Sequence, residues 1–187
     1  VTQVDISIGA IIEKLEALGM AENTIVVFTS DHGSMMGAHR MVSKNVMYEE
    51  SVRVPLLLKD PRMNGIDRRI EERISHIDLV PTLLDMLDAE APPHLQGESL
   101  LPFLQGEVKM DRDVFVEWPS VRTIITQDGW KLSLYQNDNS QLFDLNADPM
   151  ETNNLFYLEK HKHKVDELSR KIASWQLLTN DTENEIL

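Results

Sequence analysis

A short polar run, Thr29-Ser30-Asp31-His32-Gly33, places two potential metal ligands side by side. An ionised carboxylate and a neutral imidazole are both ordinary ligands for a divalent cation. Asp31 and His32 can reach the same cation only where the backbone turns sharply, and Gly33 permits such a turn. The tripeptide alone equally fits a plain turn in which Asp31 caps the next segment, so it does not by itself establish a metal site.

A lysine follows in the same long loop. Lys44 could donate to the oxygens of a transferring group, because developing negative charge in a dry site is stabilised by a positioned cation. Most lysines are instead solvated surface residues, and that is the alternative for Lys44. Spacing alone leaves both interpretations open.

These residues follow a segment that is typical of a buried strand. Residues 25–29 are continuously apolar and β-branched, as expected for a strand covered on both faces of a parallel sheet, and residues 54–58 repeat the pattern. Side chains that directly follow such a strand emerge at its carboxyl end, where open α/β sheets bind their ligands.

Helical patterns flank the two predicted strands. Residues 4–18 carry apolar side chains at helical spacing, and Gly19 stands where a glycine commonly ends a helix. Residues 74–87 are also amphipathic, with Pro81 early enough to be tolerated in a first turn. The order helix, strand, long loop, strand, helix predicts an α/β fold with flanking helices.

The pattern changes after Ala91-Pro92-Pro93. Residues 114–118, 121–126, 131–135 and 141–145 form short segments separated by turn residues, including Asp128-Gly129 and the run 137–140. They predict a small antiparallel sheet, followed by a helix whose apolar face holds Val165, Leu168, Ile172 and Trp175. We therefore predict two parts: residues 1–105 belong to the α/β domain and residues 106–187 form a small sheet-and-helix subdomain.

Composition excludes several classes of protein. The 187 residues are 42% hydrophobic and 26% charged, which is typical of a globular chain. A net charge of -13 argues against a nucleic-acid partner, which would require a basic surface. Without cysteine the chain can hold no disulfide, zinc-thiolate site or thiol nucleophile. No apolar run approaches the roughly 20 residues that span a bilayer.

Two strings carry a family resemblance, TSDHGSMMGAHRMVSK at residues 29–44 and YEESVRVPLLLKDP at residues 48–61. Together they resemble the sulfatase family of the alkaline-phosphatase-like superfamily. HIDLVPTLL at residues 76–84 agrees with it, as does LFDL at residues 142–145 with the nearby Asp148-Pro149, Glu151 and Asn154-Leu155. The resemblance implies the end of an alkaline-phosphatase-like parallel or mixed sheet, followed by the small antiparallel subdomain.

The resemblance assigns roles to three residues. Asp31 and His32 match the second pair of ligands for a divalent cation, usually Ca²⁺, with Mg²⁺ or Mn²⁺ as alternatives. Many relatives carry Asn where this chain has His32, and calcium prefers oxygen ligands, so His32 leaves the identity of the metal open. Lys44 matches the catalytic lysine that contacts the sulfate oxygens of the substrate.

Parts of the sulfatase machinery are not found in these residues. The family's nucleophile is a formylglycine made from Cys or Ser in a Cys/Ser-x-Pro-x-Arg sequence, and no such sequence occurs here. We therefore expect a missing N-terminal part of the same protein to supply the formylglycine and the first aspartate pair. The chain alone is expected to be inactive, to bind cations weakly and to self-associate through exposed strands.

The sequence leaves two alternative functions open. A phosphonate or phosphodiester hydrolase of the same superfamily would share the Asp-His-Gly ligands, and a non-catalytic docking module is a different class. The expected substrate is a sulfate ester of a small molecule or sugar. The resemblance implies export to the periplasm, the lysosome or the cell exterior.

Four other features are given ordinary interpretations. His39 is expected to be a loop histidine, and His76 and Asp78 to belong to a packing helix. Glu49 and Arg53, four residues apart, predict a helical ion pair. Asn180-Asp181-Thr182 is a glycosylation sequence of a kind that arises easily by chance.

Overall fold

A computed structural model describes residues 1–63, 69–137 and 139–181 of the chain. The α-helices it contains are α1 (Thr2–Ala17), α2 (Glu49–Val52), α3 (Leu79–Met86), α4 (Leu101–Leu104) and α5 (Lys162–Thr179). The strands are β1 (Val26–Thr29), β2 (Leu56–Lys59), β3 (Val114–Trp118), β4 (Val121–Ile125), β5 (Trp130–Tyr135) and β6 (Gln141–Asp144). Asp138 of one predicted turn and Thr182 of the glycosylation sequence lie outside the described residues.

The first predicted helix is confirmed as α1. Gly19 follows it with a φ of 66°, the left-handed conformation that lets a helix end on a glycine. The apolar stripe of α1 is not covered within the described residues, where Val4 is 56% exposed, Ile11 62% and Leu18 57%. In the same residues no helix is both long enough and apolar enough to cross a bilayer.

Strands β1 and β2 pair with each other in antiparallel register, with Val27 opposite Leu58 and Thr29 opposite Leu56. The expectation that each strand would be buried on both faces of a parallel sheet is therefore wrong for this pair. An apolar run does not encode strand direction, and the loop after β1 returns the chain to the end of β1 that it had just left. β2 alternates between half-buried and exposed positions, and Leu57 is 63% exposed.

The helix predicted at residues 74–87 is shorter than expected. The chain first forms a single 3-10 turn at His76–Asp78, and α3 then runs over Leu79–Met86. Ser75 starts the turn, because its side chain and that of Asp78 each accept a hydrogen bond from the other's backbone N–H. Pro81 falls in the first turn of α3, where its missing N–H leaves no bond unmade.

The C-terminal sheet is confirmed as four antiparallel strands in the order β3-β4-β5-β6. Its core face packs against α5, as the apolar spacing of that helix predicted. Five side chains at this interface are at most 1% exposed: Ile124, Leu132, Leu142, Leu168 and Ile172. Each fully buried side chain of this size contributes about 1.5–3 kcal/mol to folding, so this layer gives the subdomain a core of its own.

Candidate functional site

Asp31, His32 and Lys44 come together just beyond the end of β1. His32 Nε2 lies 3.3 Å from Asp31 Oδ2 and 2.7 Å from Lys44 Nζ. The three residues that the sequence singled out therefore form one cluster, at a strand end as expected. Their roles as metal ligands and sulfate contact remain predictions.

Asp31 is held in its ionised form. Its side chain is 81% exposed, and the backbone N–H of His32 donates to Oδ1 at 2.9 Å. This hydrogen bond is the main cause that lowers the pKa of Asp31 below the ordinary value for an aspartate. At neutral pH the cluster thus contains an accessible carboxylate that needs no proton removed before it binds a cation.

The imidazole of His32 is oriented by its own neighbouring backbone. Its Nδ1 lies 2.8 Å from the carbonyl oxygen of Gly33, and a carbonyl can only accept, so Nδ1 must carry the proton. In the neutral ring Nε2 then carries a lone pair, which accepts from the Lys44 ammonium 2.7 Å away. Metal-binding histidines are commonly held this way, with the distal N–H donated to a backbone carbonyl.

The side chains of Asp31 and His32 are also spaced suitably to bind one cation. Adjacent ligands of a six-coordinate ion with bonds of about 2.1 Å lie about 3 Å apart, close to the 3.3 Å between Asp31 Oδ2 and His32 Nε2. Within residues 1–63, 69–137 and 139–181, however, no group of three His, Cys, Asp or Glu residues is arranged to hold a metal. The donor set therefore fits two positions of a coordination shell and leaves the others to water or to further ligands.

Gly33 is required for a close approach rather than for a turn. Its backbone N–H donates to the carbonyl oxygen of Ser51 at 2.8 Å. A Cβ at this position would overlap the carbonyl oxygen of Glu50 and lie 2.9 Å from its carbon. Gly33 is not among the residues with positive φ, so the structure requires a glycine here for space rather than for a left-handed backbone.

Ser51 connects two parts of the cluster and was not found from sequence. It is only 2% exposed. Its carbonyl accepts from Gly33 N–H, and its hydroxyl donates to the carbonyl oxygen of Lys44. A single serine between charged and apolar neighbours gives no sequence signal for such a role.

Replacing Gly33 with alanine is expected to displace the loop from α2 and destabilise the fold by about 1–3 kcal/mol, the usual cost of overpacking. The obstructing atoms belong to the backbone of Glu50, so no side-chain movement relieves the clash. Thermal unfolding of the two proteins measures the effect. Gly9→Ala is the matched control, because a Cβ there meets no atom within 4 Å. An equal melting temperature for Gly33→Ala and wild type would contradict the close approach.

The remaining histidines near the loop have separate contacts. His39 stacks on Tyr48 with ring centroids 3.8 Å apart, which confirms it as a loop histidine. Asp78 is buried and pairs with Arg112 at 2.9 Å, so it is structural, as predicted. His76 differs from expectation: its Nε2 lies 3.1 Å from Thr29 Oγ1, which places it beside the end of β1.

Glu49 does not use the partner predicted for it. Its carboxylate contacts Lys131 of β5 at 3.0 Å, and the helical pair with Arg53 is replaced by this longer-range one. Lys131 also contacts Glu151 at 2.8 Å. The predicted boundary near residue 105 is therefore crossed by charged contacts, and the division into residues 1–105 and 106–187 remains a prediction.

Comparisons with known proteins agree with this architecture. Residues 37–177 match the family described as N-sulphoglucosamine sulphohydrolase, C-terminal. The chain is 32% identical over 197 residues to N-acetylglucosamine-6-O-sulfatase of Bacteroides thetaiotaomicron, covering 98% of this chain and 35% of that protein.

Two solved structures show the same fold. BT4656, in complex with its substrate D-glucosamine-2-N,6-O-disulfate, has a TM-score of 0.80 at 32% identity, covering 97% of this chain and 40% of that one. A phosphonate monoester hydrolase of Agrobacterium radiobacter has a TM-score of 0.85 at 28% identity, covering 95% and 40%. The likeness of both structures confirms the predicted fold class. The chain spans well under half the length of each protein compared.

Proposed function

We propose that the whole protein hydrolyses sulfate esters. The proposal starts from the family: this chain belongs to the sulfatase family described as N-sulphoglucosamine sulphohydrolase, C-terminal. The observation that carries the proposal is the meeting of Asp31, His32 and Lys44 at the end of β1, with both contacts to His32 Nε2 within 3.3 Å. The carboxylate and the imidazole lone pair can bind a cation, and that cation and the ammonium can together bind an anionic group such as a sulfate.

Each of the three residues has a distinct task. Asp31 and His32 provide two ligands for a divalent cation, which when bound supplies positive charge next to the sulfate group. Lys44 donates to a sulfate oxygen and stabilises the negative charge that develops on the transferring group. Ca²⁺, the usual cation of the family, and Mg²⁺ or Mn²⁺ are the candidate cations; the nitrogen ligand of His32 suits neither Ca²⁺ nor Mg²⁺ well, because both prefer oxygen.

The nucleophile lies elsewhere in the protein on this proposal. By family resemblance it is a formylglycine, and the relatives are more than twice as long as the part matched here. The same outside region would provide the remaining cation ligands, since the described residues supply two.

A sulfated sugar is the proposed substrate. The relative from Bacteroides thetaiotaomicron is named as an N-acetylglucosamine-6-O-sulfatase, and BT4656 was solved with a disulfated glucosamine. These names support a sugar as the alcohol of the ester without selecting which hydroxyl carries the sulfate.

A phosphonate monoester hydrolase is the second candidate. It is supported by the structural likeness to the enzyme of Agrobacterium radiobacter, at a TM-score of 0.85 and 28% identity. The Asp31–His32 pair serves either reaction, because sulfate and phosphonate esters present similar anionic oxygens to a cation.

Turnover of matched substrates tests the proposal. The full-length protein is incubated with 4-nitrophenyl sulfate, glucosamine 6-sulfate or a phenylphosphonate monoester, with a divalent cation or with a chelator. We expect cation-dependent release of sulfate and a lower kcat/KM for the phosphonate. A higher kcat/KM for the phosphonate selects the second candidate, and no turnover of any of the three substrates would contradict both.

A further inference from the structure

Lys131, the second residue of β5, is buried. Its side chain is 1% exposed and lies between two carboxylates, Glu151 at 2.8 Å and Glu49 at 3.0 Å. Lysine is almost never fully buried unless it is paired. The three residues, here called the buried triad, join β5 to α2 and to the turn after β6.

Glu151 reaches the backbone of α2 as well as Lys131. Its Oε2 accepts a hydrogen bond of 2.6 Å from the backbone N–H of Glu49, the first residue of α2, across 102 positions of sequence. Tyr48, which precedes α2, makes no side-chain cap of its own. A carboxylate at this point satisfies a helix N–H that is otherwise without an intrahelical partner.

Glu151 combines an unfavourable backbone conformation with a buried side chain. Its φ is 51°, in the left-handed region, and its side chain is 1% exposed. Burial raises the pKa of Glu151, and the ammonium of Lys131 opposes that effect. A glutamate in this conformation and environment is placed at some cost, which its contacts must offset.

One helical turn separates the buried triad from the candidate site. Ser51 lies two residues after Glu49, accepts from Gly33 N–H at 2.8 Å and donates to the carbonyl of Lys44. One path from Glu151 to the cluster therefore runs through α2: Glu151 contacts the start of α2, and Ser51 contacts the two loop segments that carry His32 and Lys44.

We propose that Glu151, with Lys131, is a positioning residue that sets the geometry of the Asp31–His32–Lys44 cluster by fixing α2. The inference rests on the proposed function for its catalytic consequence. Glu151 touches neither substrate nor cation in this scheme and acts only through Glu49 and Ser51.

Stability alone does not require such a triad. Buried ion pairs are often no more stabilising than apolar residues of the same volume, because each charge must be removed from water. An apolar side chain at position 151 could not accept the Glu49 N–H, however. The directional contact with α2 is what the carboxylate adds.

Glu151→Met and Glu151→Gln separate these contributions in the full-length protein. Methionine fills a similar volume without an acceptor, whereas the amide oxygen of glutamine can still accept from Glu49 N–H. We expect Glu151→Met to speed hydrogen exchange of the Glu49 and Gly33 amides by about tenfold or more, the effect of losing a hydrogen bond to a charged group. Glu151→Gln should restore most of the protection.

The catalytic readout is a kcat-against-KM split. Under the same conditions Glu151→Met should lower kcat about tenfold while KM changes by a smaller factor. A misplaced Lys44 weakens binding of the transition state, where negative charge develops, more than binding of the substrate. Glu167→Met is the matched control, since Glu167 pairs with Lys164 at 2.8 Å on α5, away from the site. That control should change neither kcat nor the exchange of Gly33.

Two results would overturn the inference. One is wild-type exchange at Glu49 and Gly33 in Glu151→Met; the other is an equal rise at the core amides of Leu168 and Ile172, which indicates global loosening only. If Glu151→Met does not fold, Glu151→Asp takes its place, since it keeps the charge but withdraws the acceptor. A wild-type protein without turnover would contradict the proposed function, and amide exchange would still decide this inference.

Discussion

Lys44→Ala is expected to lower kcat for a sulfate ester by about 10²–10³-fold, the usual cost of removing one positioned donor to developing charge. The fold should be retained, because the Lys44 side chain is exposed and its contact with Ser51 is made by the backbone carbonyl, which alanine keeps. Steady-state kinetics on the full-length protein measure the change, with thermal unfolding to verify folding.

Two further variants sharpen this test. Lys44→Arg should recover only part of the rate, because a planar guanidinium does not occupy the place of a compact ammonium. Lys59→Ala is the matched control, since Lys59 is exposed and pairs with Val26 at the opposite end of the β1–β2 ladder from Thr29. A Lys44→Ala enzyme within a few-fold of wild type would show that Lys44 is a surface lysine.

Asp31→Ala should abolish stoichiometric cation binding and with it nearly all turnover. Asp31 is the ionised member of the ligand pair, and its pKa is held low by the His32 N–H, so its loss removes the only negative charge of the cluster. Metal content of the purified full-length protein and titration with Ca²⁺ or Mn²⁺ measure the effect.

A control aspartate distinguishes ligand loss from general charge effects. Asp5 lies exposed in the first turn of α1, and Asp5→Ala removes the same charge away from β1. It should leave metal content and rate unchanged. Normal stoichiometry together with a normal rate in Asp31→Ala would remove Asp31 from the site.

Elements with local signals were predicted well from sequence. α1 ends just before Gly19 as expected, the four C-terminal strands lie within a residue or so of their predicted bounds, and α5 buries Leu168 and Ile172. Alternation, helical spacing and turn residues are properties of a few adjacent positions, so one sequence is enough to show them.

Features that depend on distant parts of the chain were not predicted. The antiparallel pairing of β1 with β2 depends on how the intervening loop folds, and that loop carries little periodicity. The partner of Glu49 is Lys131, which stands among apolar residues of β5 with no local sign of its burial. Local spacing suggested Arg53 instead, because four residues apart is the distance that helical pairs require.

The candidate site was predicted in part. Asp31, His32 and Lys44 were found from the strand end and the family resemblance, and the structure brings all three together. The residues proposed to hold them, Ser51 and Glu151, bind backbone groups of Lys44 and Glu49 through their own side chains. The backbone partner can belong to any residue and can lie far along the chain, so no local spacing in the sequence reveals such a contact.

The left-handed backbone of Glu151 limits which residues can replace it at this position. Residues other than glycine, asparagine and aspartate adopt that conformation at a cost of about 1–2 kcal/mol. Substitutions that relieve the cost shorten or remove the side chain that reaches Glu49. The same substitutions would break the buried pair with Lys131, at a cost of about 3–5 kcal/mol, so stability and turnover both favour the strained glutamate.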